Sequence, residues 1–249
     1  MGPDLVLALE LADAADALSL PRFRARDLAV STKADLSPVT EADLAVEAEL
    51  RRLLAAHRPG VAVLGEEEGA DAHDQNAPRW IVDPIDGTRN FSRGIPVWAT
   101  LIALERDGVL QLGVVSAPAL GRRWWASRGE GAWRDDGERL RVSGVGRIED
   151  ATVLVALDRP VAAAAFDAWH VRGFGDFWAH MLVAEGAAEV AVDAVGVSLW
   201  DLAAPLVVVE EAGGRFTDLE GRSRADGRSA VSTNGVLHDV ALATLAPRR

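Results

Sequence analysis

Residues 80–88, Trp80-Ile81-Val82-Asp83-Pro84-Ile85-Asp86-Gly87-Thr88, decide the fold of this chain. The first three are apolar and mostly favour β-structure, which is typical of a buried strand. Pro84 disfavours the helical conformation of Asp83, so the segment stays extended as it enters a turn. Asp83 and Asp86 stand three residues apart across this turn, and we expect both carboxylates to face one pocket.

A phosphate fits the same turn. Gly87-Thr88 can open a short helix, and the free N–H groups and positive dipole end of a helix favour an anion. Two further acidic segments fit beside it: residues 64–69, Leu-Gly-Glu-Glu-Glu-Gly, follow an apolar run, and Trp200-Asp201 opens the long apolar helix 202–212. Mg²⁺ takes hard oxygen ligands and usually keeps phosphate oxygens in its shell. Together the segments predict a metal-dependent phosphate site, although each acid alone also fits a solvated loop or a helix N-cap.

Three motifs resemble the signatures of the inositol monophosphatase family, in that family's order and spacing. They are Gly65-Glu66-Glu67, the hexapeptide 83–88, and Trp200-Asp201-Leu202-Ala203-Ala204 followed by Glu211-Ala212-Gly213-Gly214. The resemblance spans nearly the whole chain. It implies an α/β (α+β) fold, a layered α-β-α-β-α sandwich of the inositol monophosphatase and fructose bisphosphatase type. It also implies a Mg²⁺-dependent, lithium-sensitive phosphomonoesterase.

A closer resemblance is to the bacterial branch of the family that hydrolyses histidinol phosphate. Four segments carry it: 90–99, 115–120, 123–126 and 174–177. We therefore expect hydrolysis of L-histidinol phosphate in histidine biosynthesis. Two alternatives stay open at this point. One is an inositol-1-phosphate or broad sugar-phosphate phosphatase, and the other is an RNA-associated regulatory binding protein of the same fold.

The resemblance assigns the metal ligands residue by residue. It implies that Glu66, Asp83 and the backbone carbonyl of Ile85 hold one Mg²⁺. Asp83, Asp86 and Asp201 would hold a second, so that Asp83 bridges the two ions. A third, weaker ion would depend on Glu66 and on water.

It assigns catalytic roles in the same way. Thr88 would orient the attacking water, Asp43 would accept the proton of that threonine, and Glu66 would share the activation. The N–H groups of Gly87 and Thr88 would bind phosphate oxygens. Asp43 also fits plain helix capping, and Lys33 lies either near the site or in a solvated loop.

Arg172 and Asp176 are the candidates for substrate choice. Inositol phosphatases usually carry a small or hydroxylated residue at the place of Asp176, whereas a carboxylate suits a cationic amine or imidazole. The alternative is an acidic residue that favours a helix N-terminus. Ala194 stands where inositol-selective members tend to have a glutamate, which weakens the inositol hypothesis, although the neighbouring Asp193 could substitute.

Composition excludes several classes of protein. The net charge of −12 argues against binding to nucleic acid or to an anionic membrane surface. It does not exclude a small phosphorylated substrate, because bound metal ions invert the local charge. There are no cysteines, so thiol chemistry is excluded. The five histidines show no metal-ligand spacing and are expected to have ordinary surface or core roles.

Residues 1–4 lack a basic region and no apolar run approaches 18 residues, so we expect neither a signal peptide nor a membrane helix. A cytoplasmic location is expected, and the family resemblance implies a homodimer. One phosphatase domain, 1–249, is predicted, with two halves at 1–147 and 148–249.

Hydrophobic periodicity and turn signals predict the order of the elements. Helices are predicted over 4–26, 40–56, 161–169, 175–187, 202–212 and 236–245. Strands are predicted over 61–64, 79–83, 97–105, 109–116, 122–127, 131–142, 151–156, 190–192, 215–217 and 230–233. Segment 27–39 is predicted as a loop, and Asp107-Gly108 as a hairpin turn. Asp136-Gly137 gives another turn signal within 131–142.

Overall fold

The computed structural model describes residues 1–34, 36–71, 77–156, 166–193 and 196–246. Within them the α-helices are α1 (Pro3–Arg22), α2 (Glu41–His57), α3 (Thr88–Ser92), α4 (Asp176–Ala184), α5 (Leu199–Glu211) and α6 (His238–Leu245). The strands are β1 (Val30–Thr32), β2 (Pro38–Thr40), β3 (Ala62–Gly65), β4 (Gly69–Ala70), β5 (Arg79–Asp86), β6 (Ala99–Arg106), β7 (Val109–Ala117), β8 (Arg122–Ser127), β9 (Gly131–Arg134), β10 (Thr152–Val155), β11 (His170–Arg172), β12 (Val190–Asp193), β13 (Arg215–Thr217) and β14 (Ala230–Thr233).

Two large sheets alternate with three helical layers, and β1 and β2 form a separate two-stranded sheet. The larger sheet has the order β4-β3-β5-β6-β7-β8-β9 and is antiparallel except that β3 runs parallel to β5. The smaller sheet has the order β11-β10-β12-β14-β13 and mixes parallel and antiparallel pairs. Helices α1 and α2 cover the outer face of the larger sheet, α4 and α5 lie between the sheets, and α6 packs on the smaller one. The predicted α-β-α-β-α sandwich is confirmed.

Helix α5 explains why the two sheets share one core. Its residues 202–209 are all buried, so this helix is covered on every side. A helix that is apolar all round must be enclosed by other elements. Here β6, β7 and β8 pack against it, as do β13 and β14 of the smaller sheet. Because α5 begins at Leu199, its first turn places Asp201 at the junction of the layers.

Some local predictions were wrong. Segment 27–39 contains β1 and most of β2, which pair antiparallel with Val30 opposite Thr40. Strand β1 is exposed on all three residues, so it has no alternating pattern to reveal it. The strand predicted over 131–142 ends at Arg134, because the chain reverses over 135–137, where Asp136-Gly137 gives a turn signal in the sequence. The helix predicted over 161–169 falls partly outside the described residues, and residues 166–169 form no helix.

Other predictions are confirmed by the structure. Helix α2 begins after Thr40, whose backbone N–H donates to the Asp43 carboxylate while its hydroxyl accepts from the Asp43 N–H, as in a capping box. Asp107 and Gly108 both have positive φ, 51° and 71°, as a tight hairpin turn between β6 and β7 requires. The division into halves 1–147 and 148–249 stays a prediction. In the described part of the chain, no helix has the length and apolar character needed to span a membrane.

His238 ties α6 to the smaller sheet. Its Nε2 lies 3.0 Å from Thr217 Oγ1 and its Nδ1 lies 3.0 Å from Thr233 Oγ1. The Thr217 hydroxyl donates to the carbonyl of Asp218, so its oxygen accepts from Nε2–H and the ring is held neutral. Burial lowers the pKa of His238 to about 4, and Arg215 adds to this effect.

We expect His238→Gln to reduce the acid sensitivity of the fold. As pH falls below about 6.5, the unfolded imidazole gains a proton that the folded ring takes up only near pH 4. The wild-type protein therefore loses stability through this window. Glutamine does not titrate, so the wild type should lose about 2 kcal/mol more than the variant between pH 7 and pH 4.5. Urea unfolding at both pH values measures this difference, and equal losses would contradict it.

Candidate active site

A bulge in β5 brings Asp83 and Asp86 to one side of the sheet. Asp83 pairs with Leu101 and Asp86 with Ala99, so two residues of β5 lie opposite one residue of β6. In a regular strand, the side chains of residues three apart point to opposite faces of the sheet. The extra residue of the bulge brings the two side chains to the same face. The Thr100 hydroxyl holds the bulge by donating to the carbonyl of Pro84 at 2.8 Å. The strand thus continues through Asp86, whereas the sequence predicted that it ends at Asp83.

Asp201 completes a cluster of three carboxylates with Asp83 and Asp86. One oxygen of each lies within 4.8 Å of the others. Backbone N–H groups fix two of them: Phe177 donates to Asp86 Oδ2 at 2.7 Å, and Ser198 donates to Asp201 Oδ2 at 2.6 Å. Strand β5 and helices α4 and α5 therefore all contribute to the geometry of this cluster.

The cluster is electrostatically strained. Burial raises the pKa of Asp83 and of Asp86 well above the usual range, and the surrounding carboxylates raise both further. Burial likewise raises the pKa of Asp201 to about 7, with a contribution from Glu66. Like charges held this close in a buried site favour a bound cation, which reverses the repulsion.

A divalent cation fits these residues. Asp83 Oδ1 is buried and has no hydrogen-bond partner in the described part of the chain, which is costly for a carboxylate oxygen unless a cation satisfies it. The donors are all hard oxygens, the type that Mg²⁺ prefers. The cluster is thus chemically matched to a hard metal ion.

Glu66 lies beside the cluster and not within it. Its Oε1 accepts from the ammonium of Lys33 at 2.7 Å, and Glu67 Oε1 accepts from the same group at 2.7 Å. The charge of Glu66 nevertheless reaches the cluster, because it raises the pKa of both Asp83 and Asp201. The structure thus places Lys33 near the site, not in a solvated loop.

Glu47, which the sequence did not single out, shapes the loop that carries Glu66. Its buried carboxylate accepts from the backbone N–H groups of Glu67 and Glu68 at 2.8 and 3.0 Å, and from Arg51 Nε at 2.9 Å. A Cβ on Gly65 would lie 2.1 Å from Glu47 Oε1, so a larger residue there would displace the Glu47 carboxylate. The available signal was an acid on the apolar face of α2, a costly placement unless the acid is paired.

Thr88 and Asp43 are in direct contact. The Thr88 hydroxyl lies 3.1 Å from Asp43 Oδ1 and 3.0 Å from the carbonyl of Ile85. Asp43 is fully buried, and its Oδ2 accepts from the backbone N–H of Thr40 at 2.8 Å. One carboxylate therefore caps α2 and also contacts Thr88. Gly87 precedes α3 with φ of 85°, a conformation that favours glycine.

A cavity of about 260 Å³ opens at the junction of the two sheets. Gly87, Thr88 and Arg89 line part of it. Five carboxylates among the described residues line it as well: Glu66, Asp86, Asp176, Asp193 and Asp201. This acidic lining would repel a phosphate dianion unless cations were bound first.

The structure does not bring every predicted site residue to this cavity. Asp176 lines it at the start of α4, with a positive φ of 56°. Arg172 is exposed on the edge strand β11, donates to the carbonyl of Val171 and is not among the described lining residues. Ala194 lies outside the described residues. Asp193 lines the cavity and contacts His180, a histidine that the sequence assigned to an ordinary role.

The chain is similar to several known proteins. A histidinol-phosphatase of Mycobacterium tuberculosis is 52% identical over 97% of both chains, and one of Streptomyces coelicolor is 45% identical over 98% of this chain and 97% of its own. The crystal structure of the extragenic suppressor protein suhB from Bartonella henselae superposes with a TM-score of 0.90, at 29% identity and over 100% of both chains. The family model for inositol monophosphatases matches residues 3–248. The chain therefore belongs to the inositol monophosphatase family.

Proposed function

We propose that this protein is a Mg²⁺-dependent phosphomonoesterase that hydrolyses L-histidinol phosphate to L-histidinol and phosphate in histidine biosynthesis. The observation that carries the proposal is the cavity lining. Asp86 and Asp201 of the Asp83–Asp86–Asp201 cluster line the cavity. Two further carboxylates, Asp176 and Asp193, line it as well. The cluster suits metal ions that bind phosphate, and the additional pair suits a substrate that itself carries a cation. The histidinol-phosphatases similar to this chain support the same substrate.

Metal dependence is a property of the inositol monophosphatase family. In this chain we assign Glu66, Asp83 and the carbonyl of Ile85 to one Mg²⁺, and Asp83, Asp86 and Asp201 to a second. A third would rest on Glu66. When bound, such ions neutralise the phosphate and stabilise the attacking and leaving oxygens.

The protein's own groups orient the nucleophile. Because the Thr88 hydroxyl can donate to Asp43 Oδ1, its oxygen lone pairs are free to accept a hydrogen bond from the attacking water. The water proton can then move to Thr88 Oγ1 as the threonine proton moves to Asp43. Burial raises the pKa of Asp43, which makes it a better proton acceptor than an exposed aspartate. The N–H groups of Gly87 and Thr88 are assigned to phosphate oxygens.

Three further properties are proposed from the family resemblance and from the expected role in histidine biosynthesis. We propose inhibition by lithium, a cytoplasmic location and a homodimer. Inhibition of turnover by LiCl, cell fractionation and light scattering test these parts one by one. None of them is needed for the substrate assignment.

The deciding experiment compares two substrates with the same enzyme. The kcat/KM for L-histidinol phosphate should exceed that for inositol 1-phosphate by about tenfold or more, because only the former carries an ammonium and an imidazole for the two carboxylates. Both assays need Mg²⁺, with EDTA as the blank. Equal values, or a preference for inositol 1-phosphate, would favour the broad phosphatase alternative.

We expect Asp83→Asn to abolish turnover while making the metal-free protein more stable. The substitution removes one of the crowded buried charges, which should raise the metal-free stability by on the order of 1 kcal/mol. Wild-type protein should melt at higher temperature as Mg²⁺ is added, and the variant should not. Asp107→Asn, which removes one charge from an exposed turn, is the control. A variant with near-wild-type kcat at saturating Mg²⁺ would contradict the metal assignment.

Thr88→Ala should fold normally and lower kcat by about 10²–10⁴-fold, the range of a positioned proton-transfer group. Thr88→Ser keeps the hydroxyl and should retain most of the activity. Steady-state kinetics and thermal melting of both variants separate a chemical role from a structural one. A loss of less than about threefold in the alanine variant would remove Thr88 from the mechanism.

Asp176→Asn tests the cation-binding carboxylate. Asparagine is chosen over alanine because position 176 has positive φ, which asparagine tolerates better. A charge-assisted hydrogen bond is worth about 1.5–3 kcal/mol, so kcat/KM for histidinol phosphate should fall by roughly 10–150-fold. The value for inositol 1-phosphate should fall much less. An equal loss on both substrates would mean that Asp176 supports only the fold.

A further inference from the structure

His180 is a buried histidine that links the core of the smaller sheet to the wall of the cavity. Its Nε2 lies 2.8 Å from Asp193 Oδ2, and its Nδ1 lies 2.8 Å from Ser232 Oγ. It belongs to α4, Asp193 ends β12 and Ser232 lies on the adjacent strand β14. The Phe216 ring packs against the imidazole, with 5.2 Å between centroids. The ring is therefore held at both nitrogens and along one side.

This arrangement leaves one oxygen of Asp193 for the cavity. His180 contacts Oδ2, and Oδ1 takes no part in that hydrogen bond. Asp193 lines the cavity although its side chain is only 5% exposed. A carboxylate this buried needs a fixed donor, since an unpaired buried charge is costly.

Gly175 keeps the space beside Asp193 open. A Cβ at this position would lie 3.0 Å from the Ala156 Cβ and 3.6 Å from Asp193 Oδ1. The next residue is Asp176, which also lines the cavity. The start of α4 thus brings a second carboxylate beside Asp193 on the side of the cavity formed by the smaller sheet.

We propose that His180 is a positioning residue for substrate recognition. Its Nε2–H holds Oδ2 of Asp193, so that Oδ1, together with Asp176, is directed at the cationic end of the substrate. Ser232 fixes the tautomer by donating to Nδ1, which leaves Nε2 as the donor. The imidazole does not touch the reacting atoms. This inference rests on the proposed function, because it needs a substrate that carries a cation.

The test is a double-mutant cycle in which the measured quantity is a ratio of two kcat/KM values. The ratio is kcat/KM for L-histidinol phosphate divided by kcat/KM for p-nitrophenyl phosphate, which has no cation. His180→Phe keeps an aromatic ring but removes the donor, and we expect it to lower the ratio by about tenfold, mainly through a higher KM for histidinol phosphate. His180→Gln can still donate to Asp193 and should restore most of the ratio.

Asp193→Asn should lower the ratio by at least as much as His180→Phe. If His180 acts only through Asp193, adding His180→Phe to Asp193→Asn causes no further loss. His238→Phe is the matched control, because it alters another buried histidine that contacts the smaller sheet, and it should leave the ratio unchanged. If His180→Phe does not fold, as judged by thermal melting, the same cycle is run with His180→Met.

The outcomes separate this inference from the proposed function. A wild-type enzyme without preference for histidinol phosphate over inositol 1-phosphate would overturn the proposed function and, with it, this inference. A wild-type preference that survives His180→Phe would overturn the inference alone. Additive losses in the double variant would also overturn it, because His180 would then act independently of Asp193.

Discussion

The site depends on one constraint, the enforced proximity of buried carboxylates that repel one another. Asp83 and Asp86 face the same pocket only because β5 bulges between them, and Asp201 joins them from the first turn of α5. Backbone N–H groups of two different helical segments bind Asp86 and Asp201, so neither can swing away from the cluster. The layered fold is what holds the cluster together, since the middle helices touch both sheets.

The repulsion between these carboxylates lowers the stability of the metal-free protein. The same repulsion favours the binding of a metal ion. Raised pKa values at Asp83, Asp86 and Asp201 mean that their charged forms are disfavoured in the fold. A bound cation removes that penalty, so part of the affinity for metal is set by repulsion that already exists. The core compensates, because α5 is buried along most of its length and anchors Asp201 rigidly. Functional sites commonly retain such local destabilisation.

Sequence patterns predicted what depends on near neighbours along the chain. The Thr40–Asp43 capping box and the turn at Asp107–Gly108 each involve a few consecutive residues, and both are confirmed. The bulge depends on register with β6, and the role of Glu47 depends on backbone N–H groups 20 and 21 residues away. Such features leave no periodic signal. His180 has no metal-ligand spacing, so the sequence assigned it an ordinary role. Its partner Ser232 is 52 residues distant, and no local pattern indicates that contact.

Both sheets contribute residues to the lining of the cavity. The larger sheet supplies the cluster at Asp83 and Asp86 and the turn that begins α3, which together suit a phosphate with its metal ions. The side toward the smaller sheet supplies Asp176 and Asp193. The charge of Asp176 also helps to raise the pKa of Asp86 and of Asp201. Because Asp86 accepts from the N–H of Phe177, the residue after Asp176, the carboxylate cluster and the start of α4 are directly joined. Under the proposed function, a substitution at Asp176 leaves phosphate hydrolysis in place only if this hydrogen bond is kept.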